Sequence, residues 1–162
     1  MDVCIFSVPH TGTNFLKRVL DDNKIPHRSF HSVTAQRHRV DGKKVLIPLR
    51  DPKLVANSWA RDSFVMDWDE VWANVDDVPG AHYVIVDGDP HTESGRLNEY
   101  LGEDLTVLWE KVNQGSGEID PTRMVSDEQI AMASKIYEKH LPKKPKPRRG
   151  RKNANQKDEE GL

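Results

Sequence analysis

The sequence predicts an α/β fold, a three-layer sandwich built around a mainly parallel sheet. Three observations carry that reading. Short apolar runs alternate with amphipathic stretches at helical spacing, the strongest runs lead straight into a turn and a helix, and Gly, Asp and Pro mark the turns. Strands and helices in alternation join by right-handed crossovers. That connectivity sets the turns after the strands along one edge of the sheet, where open α/β sheets bind ligands.

The elements follow in chain order. Val3–Val8 is a short apolar strand that enters the turn Pro9-His10-Thr11-Gly12-Thr13-Asn14. Gly12–Leu20 carries apolar residues at 15, 16, 19 and 20, a helical spacing. Ile25–Val33 (IPHRSFHSV) is a more polar candidate for a second strand. Val45–Leu49 is a strong apolar strand; it ends in Arg50-Asp51-Pro52 and a helix from about Pro52 to Arg61 that contains Ser58. Asp51 suits the N-cap of that helix, and Pro52 suits its first position, where a missing N–H costs nothing. Trp68–Val75 reads as a short helix, and His82–Asp87 as a buried strand closed by the turn Gly88-Asp89-Pro90. A helix near Glu93–Leu101 ends at Gly102, a natural C′ residue. The glycine-rich stretch Asn113–Gly117 precedes a last helix, Ser126–His140, which opens with the capping box Ser126/Gln129.

The 162 residues, a formal charge of −2 and 36 % apolar content bound the chain as one globular domain. The only cysteine, Cys4, lies in a predicted strand, which excludes a disulfide framework or a cysteine zinc site and fits a reducing compartment. No apolar run reaches the roughly 18 residues of a membrane helix and no signal-peptide pattern opens the chain, so the expected location is cytoplasmic and no membrane partner is expected. Residues 1–142 form the expected domain and 143–162 a disordered tail, basic and then acidic. Seven of the ten residues from Lys143 to Lys152 are basic, and prolines interrupt them. The tail holds eight basic and three acidic residues, a net +5, against 16 basic and 23 acidic in the body, a net −7. Such a tail either solubilises the chain or tethers a polyanion.

Two of the strand-to-helix turns are suited to anions. The first brings backbone N–H groups, two threonine hydroxyls and His10 to a helix N-terminus, where orphan donors and the helix dipole favour negative charge. The second brings Arg50. Two such turns on one edge suggest a ligand with separated anionic groups.

These residues resemble the sulfotransferases that use 3′-phosphoadenosine-5′-phosphosulfate (PAPS). The family's 5′-phosphosulfate loop reads approximately Pro-Lys/Arg-Ser-Gly-Thr-Thr-Trp/Phe-Leu after the first strand; Pro9-His10-Thr11-Gly12-Thr13-Asn14-Phe15-Leu16 stands in that place. Its 3′-phosphate motif is Arg-Asp/Asn-Pro with a serine eight residues after the arginine, and Arg50-Asp51-Pro52 with Ser58 keeps that spacing. The stretch from His82 to Leu105 is similar to the family's strand ending in an acidic pair and helix closing in Phe-Leu-Gly, with Asp87 and Tyr100-Leu101-Gly102 at those positions. The segment KVNQGSG resembles its C-terminal nucleotide loop, so the resemblance covers about residues 2–140.

The resemblance implies a P-loop-NTPase-like sulfotransferase fold, PAPS as the sulfuryl donor and PAP as the product. The implied nucleotide site comprises Pro9, His10, Thr11, Gly12, Thr13, Asn14 and Phe15, then Arg50 and Ser58, and then Gly115, Ser116 and Gly117. Backbone N–H groups of Thr11–Asn14, with the Thr11 and Thr13 hydroxyls, would cradle the 5′ end. Arg50 would meet the 3′-phosphate in bidentate fashion, with Ser58 and Gly115–Gly117 as further donors and Phe15 against the adenine. The plain alternatives are an ion pair for Arg50, helix packing for Ser58 and core packing for Phe15. Where the family has a lysine or arginine to help the leaving group, this chain has His10, whose imidazolium form a bound anion would favour. Lys17 is the runner-up cation. His31 is the candidate general base for the acceptor, with His27 as the alternate; no metal is expected.

Two other readings compete. One is a P-loop NTPase or small-molecule kinase, but Gly12 is followed by Thr13 rather than by the lysine of the Walker pattern. The other is a non-catalytic module of degenerate sulfotransferase fold that binds a nucleotide or a partner. The acceptor, a hydroxyl or amine on a small molecule, carbohydrate or peptide, is not legible. Trp68 and Trp72, at i and i+4, either line its pocket or pack on the core.

Overall fold

The computed structural model describes residues 1–61, 66–105 and 125–143. Four strands, β1 (Val3–Ser7), β2 (His27–His31), β3 (Lys44–Leu49) and β4 (His82–Ile85), form one all-parallel sheet in the order β2-β1-β3-β4. Alternate residues of the central strands face opposite layers. Cys4, Phe6, Val45, Ile47, Leu49, Tyr83 and Ile85 join a core with α2 (Pro52–Arg61), α3 (Trp68–Val75) and α5 (Asp127–Lys139). Val3, Ile5, Leu46, Val84 and Val86 join a second core with α1 (Thr13–Asp22) and α4 (Pro90–Leu101). A strand apolar on both faces is what a parallel sheet covered on both sides requires, and the three-layer α/β arrangement follows.

The helices start where polar caps allow. The Asp51 carboxylate accepts from Lys53 N at 3.0 Å, at the head of α2. The same Asp-Pro logic opens α4: Asp89 accepts from Thr92 N at 2.9 Å, so the helix begins at Pro90 rather than near Glu93. The Ser126/Gln129 capping box is formed in both directions at α5. Gly102 ends α4 at φ +68°. No periodic apolar signal marks the 3-10 helix over Thr34–Val40, whose one buried residue, Val40, enters the larger core.

Trp68 and Trp72 are core residues. They are 3 % and 0 % exposed, and the rings of Trp59, Trp68 and Trp72 stand in succession at centroid distances of 5.1 and 5.5 Å. Their i, i+4 spacing marks the buried face of a helix rather than the lining of an acceptor pocket. The C-terminal end of α5 is pinned by Lys139 Nζ, 2.8 Å from Asp76 and 2.9 Å from Asp77, and by the His140 ring stacked on Tyr83. Asp76, Asp77 and His140 offer metal-ligand atoms within 4.8 Å of one another, with the Lys139 ammonium already against both carboxylates.

Pro48 stands inside central strand β3. Lys44 N donates to Asp2 O, and Val86 N donates to Leu49 O, so even-numbered residues of β3 turn their backbone polar groups toward β1 and odd-numbered ones toward β4. Pro48 therefore lacks an N–H on the β1 side. The β1–β3 ladder ends at the pair Ile5↔Leu46, whereas β1–β2 runs on to Ser7↔His31 and β3–β4 to Leu49↔Ile85. The unpaired stretch lies between the carboxyl halves of β1 and β3.

Among the described residues no helix is long and apolar enough to cross a membrane. Gly115, Ser116 and Gly117, and the tail beyond Lys143, lie outside the described residues.

Candidate functional site

The chain moves from β1 outward to β2, then returns across β1 to β3 and continues to β4. The order reverses between β1 and β3, and in open α/β sheets ligands bind outside the carboxyl ends of the strands at such a switch point. The loop Val8–Gly12 leaves β1 there, and Arg50-Asp51 leaves β3 there. Both turns singled out in the sequence thus leave the sheet at this switch point, where Pro48 stops the ladder.

The loop is held by its own side chains. Thr11 Oγ1 donates to Val8 O at 2.6 Å, and the Thr13 and Ser7 hydroxyls share a hydrogen bond of 2.7 Å. The Thr11 hydroxyl is thus committed to the loop, whereas in the Ser7–Thr13 pair either oxygen can donate, so one hydroxyl hydrogen stays available beside the main-chain N–H groups. Gly12 is the N-cap of α1, with no side-chain capping bond, at φ +114°. His10 is also left-handed, at φ +69°, and Pro9 is buried while Asn14 is exposed. A β-carbon on Gly12 would stand 2.7 Å from Val86 Cγ1, so glycine is required for both conformation and space. From the α2 side, Trp59 Nε1 donates to Pro9 O at 2.9 Å and Arg50 donates to His10 O at 3.5 Å.

Arg50 is 3 % exposed. Burial pulls its pKa below the ordinary guanidinium value, Asp87 and Asp51 act to raise it, and Arg61 lowers it further. A guanidinium so placed still carries its charge at neutral pH. Asp87 is tied from two sides: Asp51 N donates to it at 2.8 Å, and Tyr137 of α5 donates to its other oxygen at 2.8 Å. Burial and the Asp87 carboxylate push the Tyr137 phenol well above its usual value, which keeps it a donor. Ser58 is half-buried on α2, next to the Trp59 that reaches the loop.

His31 ends β2, paired with Ser7, and is exposed at the same edge. Desolvation first, and then the nearby Lys17 and His10, hold its pKa below the ordinary imidazole value against a hydrogen bond with the Ser7 backbone. The ring is therefore neutral at neutral pH, the state a proton acceptor needs. Lys17 is half-buried rather than pointing freely to solvent. His27 lies at the opposite end of the strand, paired with Val3, and its Nε2 sits 2.8 Å from Asp21. Four residues of strand separate it from His31, roughly 13 Å, so the alternate base is removed from the site. Phe15 is half-buried and packs on the α1–α4 core.

The structure thus brings the loop residues, Arg50 and His31 to one edge. Trp59, Tyr137 and the double tie on Asp87 were not foreseen. Trp59 directly follows Ser58 in the motif, the one signal that pointed to it; Tyr137 carried none, because its role depends on how α5 docks. Compared with protein-family models, curated proteins and solved structures, the chain finds no match.

Proposed function

We propose that the protein is a small sulfotransferase of P-loop-NTPase-like fold that uses PAPS and acts on a hydroxyl or amine acceptor in the cytoplasm. The observation that supports this reading best is the buried Arg50 guanidinium beside a glycine-bearing, main-chain-lined loop at the sheet's switch point. Placing a charge there is unfavourable without a counter-charge. Asp51 and Asp87 offset that charge, and a phosphate would add to them by accepting from guanidinium N–H donors in bidentate fashion. The loop amides and the α1 N-terminus form a second anion-holding group, so the donor set matches a nucleotide with anions at its 3′ and 5′ positions.

PAPS, when bound, supplies the activated sulfuryl group. On this reading Arg50 and Ser58 hold the 3′-phosphate, and the main chain of Thr11–Asn14 holds the 5′ end. His10 donates a proton toward the leaving group, supported by Lys17, and the neutral His31 accepts the acceptor's proton.

Calorimetric titration with PAP, using 5′-AMP and ATP as controls, tests the reading. Micromolar PAP binding with much weaker AMP binding is expected, and Arg50→Ala weakens PAP by about 1.5–3 kcal/mol. Binding of ATP but not PAP would move the assignment to an NTPase, and no nucleotide binding at all to a degenerate module.

A further inference from the structure

The Asp87 carboxylate ties three elements together. The β3–β4 ladder closes on the pair Leu49↔Ile85, and Val86 N donates to Leu49 O at 2.9 Å. Continued for two residues, that register sets Asp87 beside Asp51, and Asp51 N donates to Asp87 Oδ2 at 2.8 Å. The other oxygen, Oδ1, accepts from the Tyr137 phenol of α5 at 2.8 Å. A single donor leaves a carboxylate broad freedom to rotate about its last side-chain bond; a donor on each oxygen fixes its plane. The phenol is itself held in place. Ile136 and Ala133, one and four residues earlier on α5, are buried in the larger core. Two residues later Lys139 Nζ lies 2.8 Å from Asp76, and the His140 ring stacks on Tyr83 at 3.6 Å between centroids. The carboxylate so fixed bears directly on Arg50. Burial lowers the Arg50 pKa, and Asp87 is the largest of the influences that oppose it.

We propose that Tyr137 is a positioning residue for Arg50: its phenol O–H fixes the Asp87 carboxylate, which in turn holds the Arg50-Asp51 turn. Without the phenol, Oδ1 would be open to the Arg50 guanidinium, in competition with an anion. Helix α5 thus reaches the switch point through one hydrogen bond, although it follows none of the sheet's strands directly. The inference rests on the proposed function for the anion that Arg50 meets; the tie between Tyr137, Asp87 and Asp51 does not depend on it.

The test uses the full chain and pairs calorimetric titration of PAP with two NMR signals read before any ligand is added, the Asp51 amide and the Arg50 Nε–H. Tyr137→Phe keeps the ring and removes the donor; it should move both signals and weaken PAP by about three- to tenfold. Ser126→Ala, which removes the cap at the far end of the same helix, should move neither signal. The same pattern in both variants would mean a loosened helix and would overturn the proposal. A double-mutant cycle adds the route: if Tyr137 acts through Asp87, Tyr137→Phe on top of Asp87→Asn should weaken PAP by less than about twofold more. Fully additive losses, or unmoved Asp51 and Arg50 signals in Tyr137→Phe, would also overturn it. If the unaltered protein binds no PAP, the nucleotide reading falls and the ligand-free signals decide alone. Their shift in Tyr137→Phe, without one in Ser126→Ala, upholds the positioning role.

Discussion

At the scale of single residues, Gly12 is the position where conformation and contact make the same demand. Its φ of +114° disfavours a side chain, and Val86, 1 % exposed and 2.7 Å from the would-be β-carbon, has no room to retreat. Gly12→Ala should therefore cost about 1–3 kcal/mol of stability in urea denaturation and weaken sulfate or PAP binding as the loop shifts. The glycine was legible in the sequence, as were Arg50 and its spacing to Ser58, because turn chemistry and motif order are local. The Thr11 hydroxyl, expected to meet a ligand, is given to Val8 O, while the Thr13 hydroxyl shares a hydrogen bond with Ser7 in which either oxygen can donate. Which acceptor a short hydroxyl finds depends on sub-ångström placement that residue type does not encode.

At the scale of elements, local rules performed well where capping and periodicity agreed. Pro52–Arg61 and Trp68–Val75 form the helices that their spacing predicts, and the Ser126/Gln129 box is present in full. Ser126→Ala should lower stability by about 1 kcal/mol in urea denaturation while leaving sulfate affinity within twofold, since the cap is exposed and lies ten residues or more before Tyr137. The misplaced start of α4 arose from reading Asp89-Pro90 as a turn alone, although Asp51-Pro52 had been read correctly as a cap. The 3-10 helix was missed because its polar residues carry no periodic apolar signal and only Val40 is buried.

At the scale of the molecule, folding disfavours protonation of particular histidines. Burial first, with Arg96 adding to it, pushes the His82 pKa down to about 4, and its Nε2 is buried against the stacked Tyr100 ring without a hydrogen-bond partner. An unfolded chain takes up that proton near the ordinary imidazole value, so between about pH 4 and 6.5 the unfolded state binds more protons and stability rises with pH. His31 adds in the same direction, and the lowered Asp76 pKa extends the loss to more acid conditions. Comparing urea denaturation at pH 7 and 4.5 should show His82→Phe removing roughly 2 kcal/mol of the difference while keeping a ring on Tyr100. The strand His82–Asp87 reads as buried in the sequence, but the stacking of His82 on Tyr100 and the strand order could not be read there, because both depend on which elements become neighbours. The alternation of elements gave the layers and the parallel sheet; the reversal between β1 and β3 required the fold.

The proline inside β3 decides how far the two central strands can pair. Zipping β1 to β3 up to their ends would need a hydrogen that position 48 does not possess. The length of that ladder is thus written into the covalent chemistry of one residue, and no rearrangement of the surroundings can extend it through that position.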